Sequence, residues 1–407
     1  MSGVLTLTGW IFVGLAASNE VEAADRLRRR PLQRPKEAKA AQLVKWPLDR
    51  GTSSPLKGEL QVVNFWAMRY LVMCVLLMAV PQDESWWLVK STSVDANLRG
   101  VAVAVLHGKT TVWATGSKGT VLRSTDKGES WQKCAIPDGE TRDFRGVQTL
   151  DGTTAYVMAS GDGEKSGIWK TTDGGQTWEQ QYKDTRKSFF LDAITCSDET
   201  HCVALSDPVG GKFLLLRTAD GKHWKEIPSG PMPNALPKEG AFAASNSGLL
   251  VFENRELYFG TGGPKARVFH STDMGQTWTV SETPILSGKV SAGIFSIVRA
   301  GDTVVAVGGD YSEPTHREKT AAYSVDQGKT WRLSSKLPMG FRSAVETFDA
   351  GFLTVGPNGA ETSKDGEKWE AIDGPNLNAL NFSYGKGWAV GPKGVAAQFV
   401  DQTKYRQ

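Results

Sequence analysis

One short motif recurs six times in this chain, and it constrains the fold more than any other feature of the sequence. Four copies are full length: Ser124-Thr-Asp-Lys-Gly-Glu-Ser-Trp131, Thr171-Thr-Asp-Gly-Gly-Gln-Thr-Trp178, Ser271-Thr-Asp-Met-Gly-Gln-Thr-Trp278 and Ser324-Val-Asp-Gln-Gly-Lys-Thr-Trp331. Two are one residue shorter, Thr218-Ala-Asp-Gly-Lys-His-Trp224 and Ser363-Lys-Asp-Gly-Glu-Lys-Trp369. Their aspartates, Asp126, Asp173, Asp220, Asp273, Asp326 and Asp365, follow one another at intervals of 47, 47, 53, 53 and 39 residues. Periods of that size mark a propeller or a solenoid.

The chemistry of the motif is structural. The Asp and Ser/Thr side chains can cap the backbone of a tight turn, and the Gly supplies the positive φ that the turn needs. The tryptophan opens the following strand and can fill the space between neighbouring sheets. Six of the 14 Trp are used this way, which explains much of an unusual composition. Asp-x-Gly bears a superficial likeness to a calcium loop, but each copy lacks the further oxygen ligands and the closing Glu. No metal or cofactor is expected.

Between the motifs each unit reads as alternating strands. The second is clearest: Phe144–Leu150, a turn at Asp151-Gly152, Thr154–Ser160, a loop, Gly167–Thr172, the motif, then Trp178–Gln181. Four short antiparallel strands per period, arranged radially, make a β-propeller. Six motifs define six units from Leu98 to about Ile372, and three strands without a motif follow at Asn378–Tyr384, Gly387–Val390 and Gly394–Val400. An orphan strand, Trp86–Lys90, precedes the first unit and begins with Trp like the strands after each motif. Pairing it with the last three closes a seven-bladed, all-β ring and leaves no exposed sheet edge.

The Ser/Thr-x-Asp-x-Gly-x-x-Trp boxes resemble the Asp-box (BNR) repeats of sialidases, sortilin-type receptors and photosystem II assembly factors. The resemblance covers Trp86 to Val400. It is specific for a propeller and poorly specific for function. The blade count and closing strand look most like the seven-bladed photosystem II stability/assembly factor-like branch, which implies a protein- or peptide-binding role without catalysis. The alternative is a sialidase-like glycoside hydrolase on the same scaffold. Sialidases are six-bladed and carry an Arg-Ile-Pro signature, which does not occur here.

In propellers ligands usually bind at the central channel mouth, on the rim opposite the boxes, a fold-level analogy. Aligning the innermost strands sets Leu98-Arg99-Gly100-Val101, Phe144-Arg145-Gly146-Val147, Phe190-Leu191-Asp192-Ala193, Phe341-Arg342-Ser343-Ala344 and Leu377-Asn378-Ala379 beside one another. On this alignment Arg99, Arg145 and Arg342 share one mouth, with Arg142 and Arg186 nearby. Converging guanidinium groups suit a carboxylate or an acidic peptide, including a segment of a membrane protein. The other reading pairs each Arg with a neighbouring acid, Asp143, Asp192 or Glu346. Two second-to-third-strand loops look longer than the rest, Glu253–Gly263 and Gly308–Lys319. In the second, Asp310 and Tyr311 echo the acid and tyrosine of a sialidase site and open the possibility of a glycan ligand. A glycosidase needs paired groups at a set separation, which a sequence does not supply.

Other enzyme signatures are missing. There is no Gly-x-Ser-x-Gly, His-Glu-x-x-His, phosphate loop or Cys-x-x-Cys, and the five His (His107, His201, His223, His270, His316) are scattered. Cys196 and Cys202 flank a short turn between two strands, where a disulfide is geometrically allowed and fits export. Cys134 stays free.

Charge separates the start of the chain from the rest. Residues 1–67 hold ten Lys/Arg and six acids, leaving 37 basic and 38 acidic residues in the remainder. A neutral body offers no footprint for nucleic acid. Met68-Arg69, an apolar run at Tyr70–Val80 and polar Gln82–Ser85 have the layout of a secretory signal. We therefore expect an upstream or disordered extension over 1–67, a signal-like segment over 68–85, and a propeller over 86–407, exported to the periplasm or medium as a monomer.

Overall fold

The structure, a computed structural model, describes residues 85–402 apart from Ala350. The extension over 1–67, and the signal-like run that begins at Met68, lie outside the described residues. What is described is a seven-bladed β-propeller, with two single-turn 3-10 helices at Gly163–Lys165 and Pro392–Gly394.

Blade one is built from Leu98–Leu106, Lys109–Gly116, Thr120–Ser124 and Gln132–Lys133, and blade two from Asp143–Thr149, Ala155–Ser160, Gly167–Thr171 and Glu179–Lys183. Blade three comprises Leu191–Cys196, Cys202–Val209, Lys212–Thr218 and Lys225–Glu226; blade four comprises Leu249–Phe252, Glu256–Gly260, Arg267–Ser271 and Thr279–Glu282. Blade five uses Lys289–Ala300, Thr303–Asp310, Ala321–Ser324 and Arg332–Leu333, with Gly262–Gly263 added beside its first strand. Blade six is Ala344–Phe348, Gly351–Gly356, Gly359–Ser363 and Glu370–Ile372. In blade seven Ala379–Ser383, Lys386–Val390 and Val395–Phe399 are completed by Trp87–Ser91, which runs antiparallel to Val395–Phe399 with Trp87 opposite Phe399. One blade therefore holds both ends of the described chain. The first strands of neighbouring blades pack on one another around the axis.

Strand residues alternate between two buried faces because every blade is sandwiched between two others, so the core is a series of inter-blade layers. The motif tryptophans fasten these layers. Trp178 of blade two meets Trp113 of blade one edge-on at 6.0 Å, Trp131 of blade one meets Trp388 of blade seven at 6.1 Å, and Trp224 of blade three meets Tyr156 of blade two at 6.2 Å. Trp369 of blade six is fully buried against Val305 and Tyr323 of blade five.

The motif turns have the capping expected of them. In blade one Ser124 Oγ donates to Asp126 Oδ1 (2.8 Å) and accepts from Gly128 N–H (2.8 Å), while Ser130 N–H donates to Asp126 Oδ1 (3.0 Å). The same set recurs at Asp173, Asp273 and Asp326. In the short copies His223 N–H and Lys368 N–H take that place on Asp220 and Asp365. Gly128 stands at φ 78°, where a side chain would also collide with Trp388. Hydrogen bonds from Ser130 and Ser124 hold the Asp126 carboxyl down at about 2, and those from Thr330 and Ser324 do the same for Asp326.

One expected loop is not a loop. Glu253–Gly263 contains the second strand of blade four, Glu256–Gly260, because Leu257, Tyr258 and Phe259 fill both inter-blade layers. The other, after Asp310, does join the second and third strands of blade five.

Candidate functional site

The innermost strands do not run straight into the mouth. In blades one, two, three and five the register of the first strand shifts by one residue, between Leu98 and Gly100, Phe144 and Gly146, Leu191 and Ala193, and Ile294 and Ser296. Such a bulge sets two residues opposite one and re-aims the extra side chain. Those extra residues are Arg99, Arg145, Asp192 and Phe295, and all four line one central cavity of about 510 Å³. Ser343 and Asn378 hold the same place in blades six and seven, their N–H groups donating to Val355 O (3.0 Å) and Val390 O (2.7 Å), and both also line the cavity.

This register corrects the sequence alignment at Arg342. Leu98 N–H donates to Gly391 O (3.2 Å) and Leu377 N–H to Gly356 O (3.3 Å), each reaching the C-terminal end of the second strand of the preceding blade or the residue just after it. Arg342 N–H does likewise to Gly308 O (3.0 Å), so Arg342 stands in the apolar position of Leu98 and Leu377, one residue from that of Arg99. A slip of one residue turns a side chain to the other face. Arg342 is 0% exposed and forms a two-pronged ion pair with Glu361 of the third strand. It does not line the mouth. Arg142 and Arg186 are also engaged elsewhere: Arg142 caps the Glu164 and Lys165 carbonyls and lies over Trp169, and Arg186 pairs with Asp184 and Glu226.

Two arginines therefore remain at the mouth. Arg145 pairs with Asp143 (2.8 Å), one of the acids weighed as its partner, and its guanidinium lies 6.0 Å from the Phe190 ring centre. Arg99 has no carboxylate within 4 Å among the described residues, and is bonded by the Asn97 amide oxygen once that amide is turned towards it. Burial pushes the Arg99 guanidinium below its ordinary value, the Arg145 charge adds to this, and Asp143 opposes it. Neither Asp192 nor Glu346 forms an ion pair with these arginines.

Two acids share the cavity. Asp192 is 2% exposed and its Oδ2 has no hydrogen-bond partner among the described residues. Burial, then the neighbouring Asp207, pushes its carboxyl well above the usual carboxylate range, against a weaker pull from Arg145. Asp207 lines both this cavity and an adjoining one of about 450 Å³, and its Oδ1 accepts from Ala241 N–H (2.9 Å). Burial pushes it up to about 6. The opposite wall is aromatic: Phe242 and Phe295 stack at 3.9 Å, Phe341 meets Phe295 edge-on at 4.6 Å, and Tyr311, 54% exposed, stands over Phe242 and Phe295.

Asp310 is not part of this wall. It is 1% exposed, accepts from Ser312 N–H and Oγ, and lies 3.2 Å from Lys289 Nζ. Burial alone would raise its carboxyl, but Ser312, Ser291 and Lys289 outweigh it and hold it at about 2, a value unsuited to giving up a proton as an acid near neutrality. Asp310 and Tyr311 thus separate into a structural acid and an exposed ring. Phe242, Phe295 and Asp207 are cavity residues that the sequence reading missed. The available signal was the small residue after each of the six mouth positions: Gly100, Gly146, Ala193, Ser296, Ala344 and Ala379. A side chain at Gly100 would strike Thr115 Oγ1 at 2.4 Å.

Elsewhere, His223 bonds the box acid Asp220 (2.7 Å), and buried His270 bonds Glu256 (2.9 Å) within a cluster that includes Arg299 and Tyr258. Cys196 and Cys202 are bonded to each other across the first hairpin of blade three, and Cys134 is free and buried. Among the described residues no group of three or more His, Cys, Asp or Glu is placed to hold a metal ion.

Solved structures with the same fold include YCF48 bound to a D1 peptide (15% identity, 78% of this chain and 98% of that one, TM-score 0.56). Others are YCF48 from Cyanidioschyzon merolae (17%, 77% and 99%, 0.54) and virginiamycin B lyase from Staphylococcus aureus (13%, 77% and 100%, 0.54). Among curated proteins the chain is 24% identical over 222 residues to the xyloglucanase Xgh74A of Acetivibrio thermocellus, covering 48% of this chain and 25% of that protein. It thus spans about a quarter of the length of the curated relatives it matches. The sequence profile of one family, described as the DUF6242 beta propeller domain, matches residues 80–352, two-thirds of the sequence, and the chain belongs to that family.

Proposed function

We propose that this protein is an exported, non-enzymatic propeller that holds a segment of a protein or peptide partner in its central mouth. The observation that carries this reading is the cavity's division between an Arg99–Arg145 side and an aromatic side of Phe242, Phe295, Phe341 and Tyr311. Arg145 is paired with Asp143, and among the described residues Arg99 has no carboxylate within 4 Å, so an incoming carboxylate finds Arg99 without an ionic partner. The rings offer flat, low-entropy surface to an apolar neighbour. The capped turns and inter-blade tryptophans support an Asp-box reading of the repeat, in the manner of the photosystem II assembly factors. The YCF48 structure holding a D1 peptide supports a peptide as the ligand class, and a segment of a membrane protein is among the partners that fit. The bonded Cys196–Cys202 pair supports export.

Fluorescence anisotropy with a short peptide carrying one glutamate between leucines tests the assignment. Truncating Arg99 and Arg145 together to Ala should weaken binding about 10- to 100-fold, as expected for a lost charge-assisted contact at an interface. An unchanged affinity would sink the proposal.

A second reading, glycoside hydrolysis, draws on the partial likeness to a xyloglucanase. Its acid would have to come from Asp192 or Asp207, since Asp310 is committed to Lys289. Turnover of a sialoside and xyloglucan panel, lost in an Asp207→Asn chain, would displace the binding reading.

A further inference from the structure

We infer that a carboxylate ligand enters the mouth together with one proton, which the Asp192–Asp207 pair holds beside Arg99 and Arg145. This rests on the peptide-binding reading above and adds to it a ligand chemistry and a pH control.

The geometry carries the argument. Asp192 occupies the bulge position that aims Arg99, Arg145 and Phe295 at the axis, so the fold directs it to the same cavity. Its Oδ2 is buried without a donor among the described residues. A carboxylate oxygen in that state is costly, whereas a protonated carboxyl can give its O–H to an oxygen brought by the ligand. Asp207 lines the same cavity, so ionising both acids sets two like charges in one low-dielectric site.

Among the described residues neither acid has an ion-pair partner within 4 Å. Asp192 faces Asp207 from its own blade and Arg145 from blade two, and Arg145 is already paired with Asp143. Asp207 faces Asp192, Asp162 from the second-to-third loop of blade two, and the Ala241 N–H. Of the charged groups on the adjoining cavity, Glu239 is tied to Arg267, and Lys238 forms no ion pair within 4 Å among the described residues. Counting Arg99, Arg145 and Asp143, the mouth is positive while the pair is neutral and turns negative when both acids ionise. An anion therefore favours the protonated pair, and by reciprocity a bound anion raises the pair's hold on its protons. When one acid is ionised in the free protein, binding takes a proton from solvent.

The sign follows from Asp207, whose carboxyl lies at about 6. Below that pH the pair is neutral, and affinity levels off until the ligand's own carboxylate begins to protonate at about pH 4. Above it, affinity falls by up to tenfold per pH unit. On the full chain, the fluorescein-labelled glutamate peptide should bind roughly 10- to 30-fold more weakly at about pH 7.5 than at about pH 5.5, and its glutamine counterpart should bind weakly at both. Calorimetry near neutral pH in two buffers of different ionisation enthalpy should report uptake of close to one proton. The Asp192→Asn, Asp207→Asn double variant should bind the glutamate peptide at least about tenfold more tightly than the native chain at about pH 7.5.

A flat native profile without proton uptake overturns the inference and leaves the peptide reading standing, provided binding still needs Arg99 and Arg145. A double variant that keeps the native slope also overturns it. Absence of binding at every pH removes the peptide reading, and this inference with it.

Discussion

Arg342→Ala separates structure from recognition at the mouth. Arg342 and Glu361 are 0% and 2% exposed, and Glu361 takes two bonds from the guanidinium and a third from Met339 N–H (3.0 Å). Removing Arg342 strands a carboxylate in the layer between blades, and breaking a buried pair from one side costs about 3–5 kcal/mol. Replacing both partners with leucine removes both charges. That double change should recover most of the loss, less the roughly 1–3 kcal/mol of leaving Met339 N–H without its acceptor. With an m-value of about 3 kcal/mol/M, expected of a chain this large in urea, the single variant should lower the midpoint by roughly 1–1.7 M. Urea titration followed by both tryptophan fluorescence and circular dichroism measures it and checks that the two probes agree. Peptide affinity below the transition should not change, because Arg342 does not line the cavity. A midpoint shift under about 0.3 M, or a double variant as unstable as the single, refutes the buried-pair argument.

Other consequences concern the turns and the disulfide. Asp326→Ala removes the acceptor of Ser324 Oγ and of Thr330 N–H and Oγ1, and should cost about 1–2 kcal/mol by thermal melting. Because hydrogen bonds hold Asp326 and Asp126 at about 2, below their unfolded value near 4, their contribution is complete above about pH 4 and is lost as pH falls towards 2. Native stability should therefore drop through that window, and the Asp326→Ala chain should drop less; equal acid sensitivity would count against the turn. Mass spectrometry of the unreduced, proteolysed chain should recover Cys196 and Cys202 in one linked peptide, and recovery of both as free thiols would remove this support for export.

Much of the architecture was legible because the repeat carries it. A Ser/Thr, an Asp, a Gly and a Trp at fixed offsets specify a capped turn and the strand after it, and the strands between follow from alternation. The site was harder to see. The bulge adds one residue to the innermost strands of blades one, two, three and five, and Phe341-Arg342 imitates Phe144-Arg145 one position out of register. Which neighbour of a small residue points to the axis depends on hydrogen bonds to the preceding blade, so local sequence is ambiguous where Ser343 and Ala344 are both small. Glu253–Gly263 misled for a related reason: its charged, glycine-bearing ends conceal three consecutive buried residues, Leu257, Tyr258 and Phe259.

The distribution of polar groups explains why the mouth is the place to look for function. Box aspartates are consumed by their own turns, and box tryptophans by the layers between blades. Arg342, Arg267 and Arg299 neutralise Glu361, Glu239 and Glu256 inside those layers. Each of these contacts can be satisfied within one blade or between two neighbours, so the ring is held by locally complete units. The bulge positions are different. Arg99, Arg145, Asp192, Phe295, Ser343 and Asn378 occupy one geometric place in six blades yet differ in charge, size and polarity; among the described residues Asp192 Oδ2 there has no hydrogen-bond donor and Arg99 no carboxylate within 4 Å. A scaffold needs only that the next residue be small. Variation at a fixed position, with charge unmatched by its surroundings, is what a recognition surface requires and a structural repeat does not.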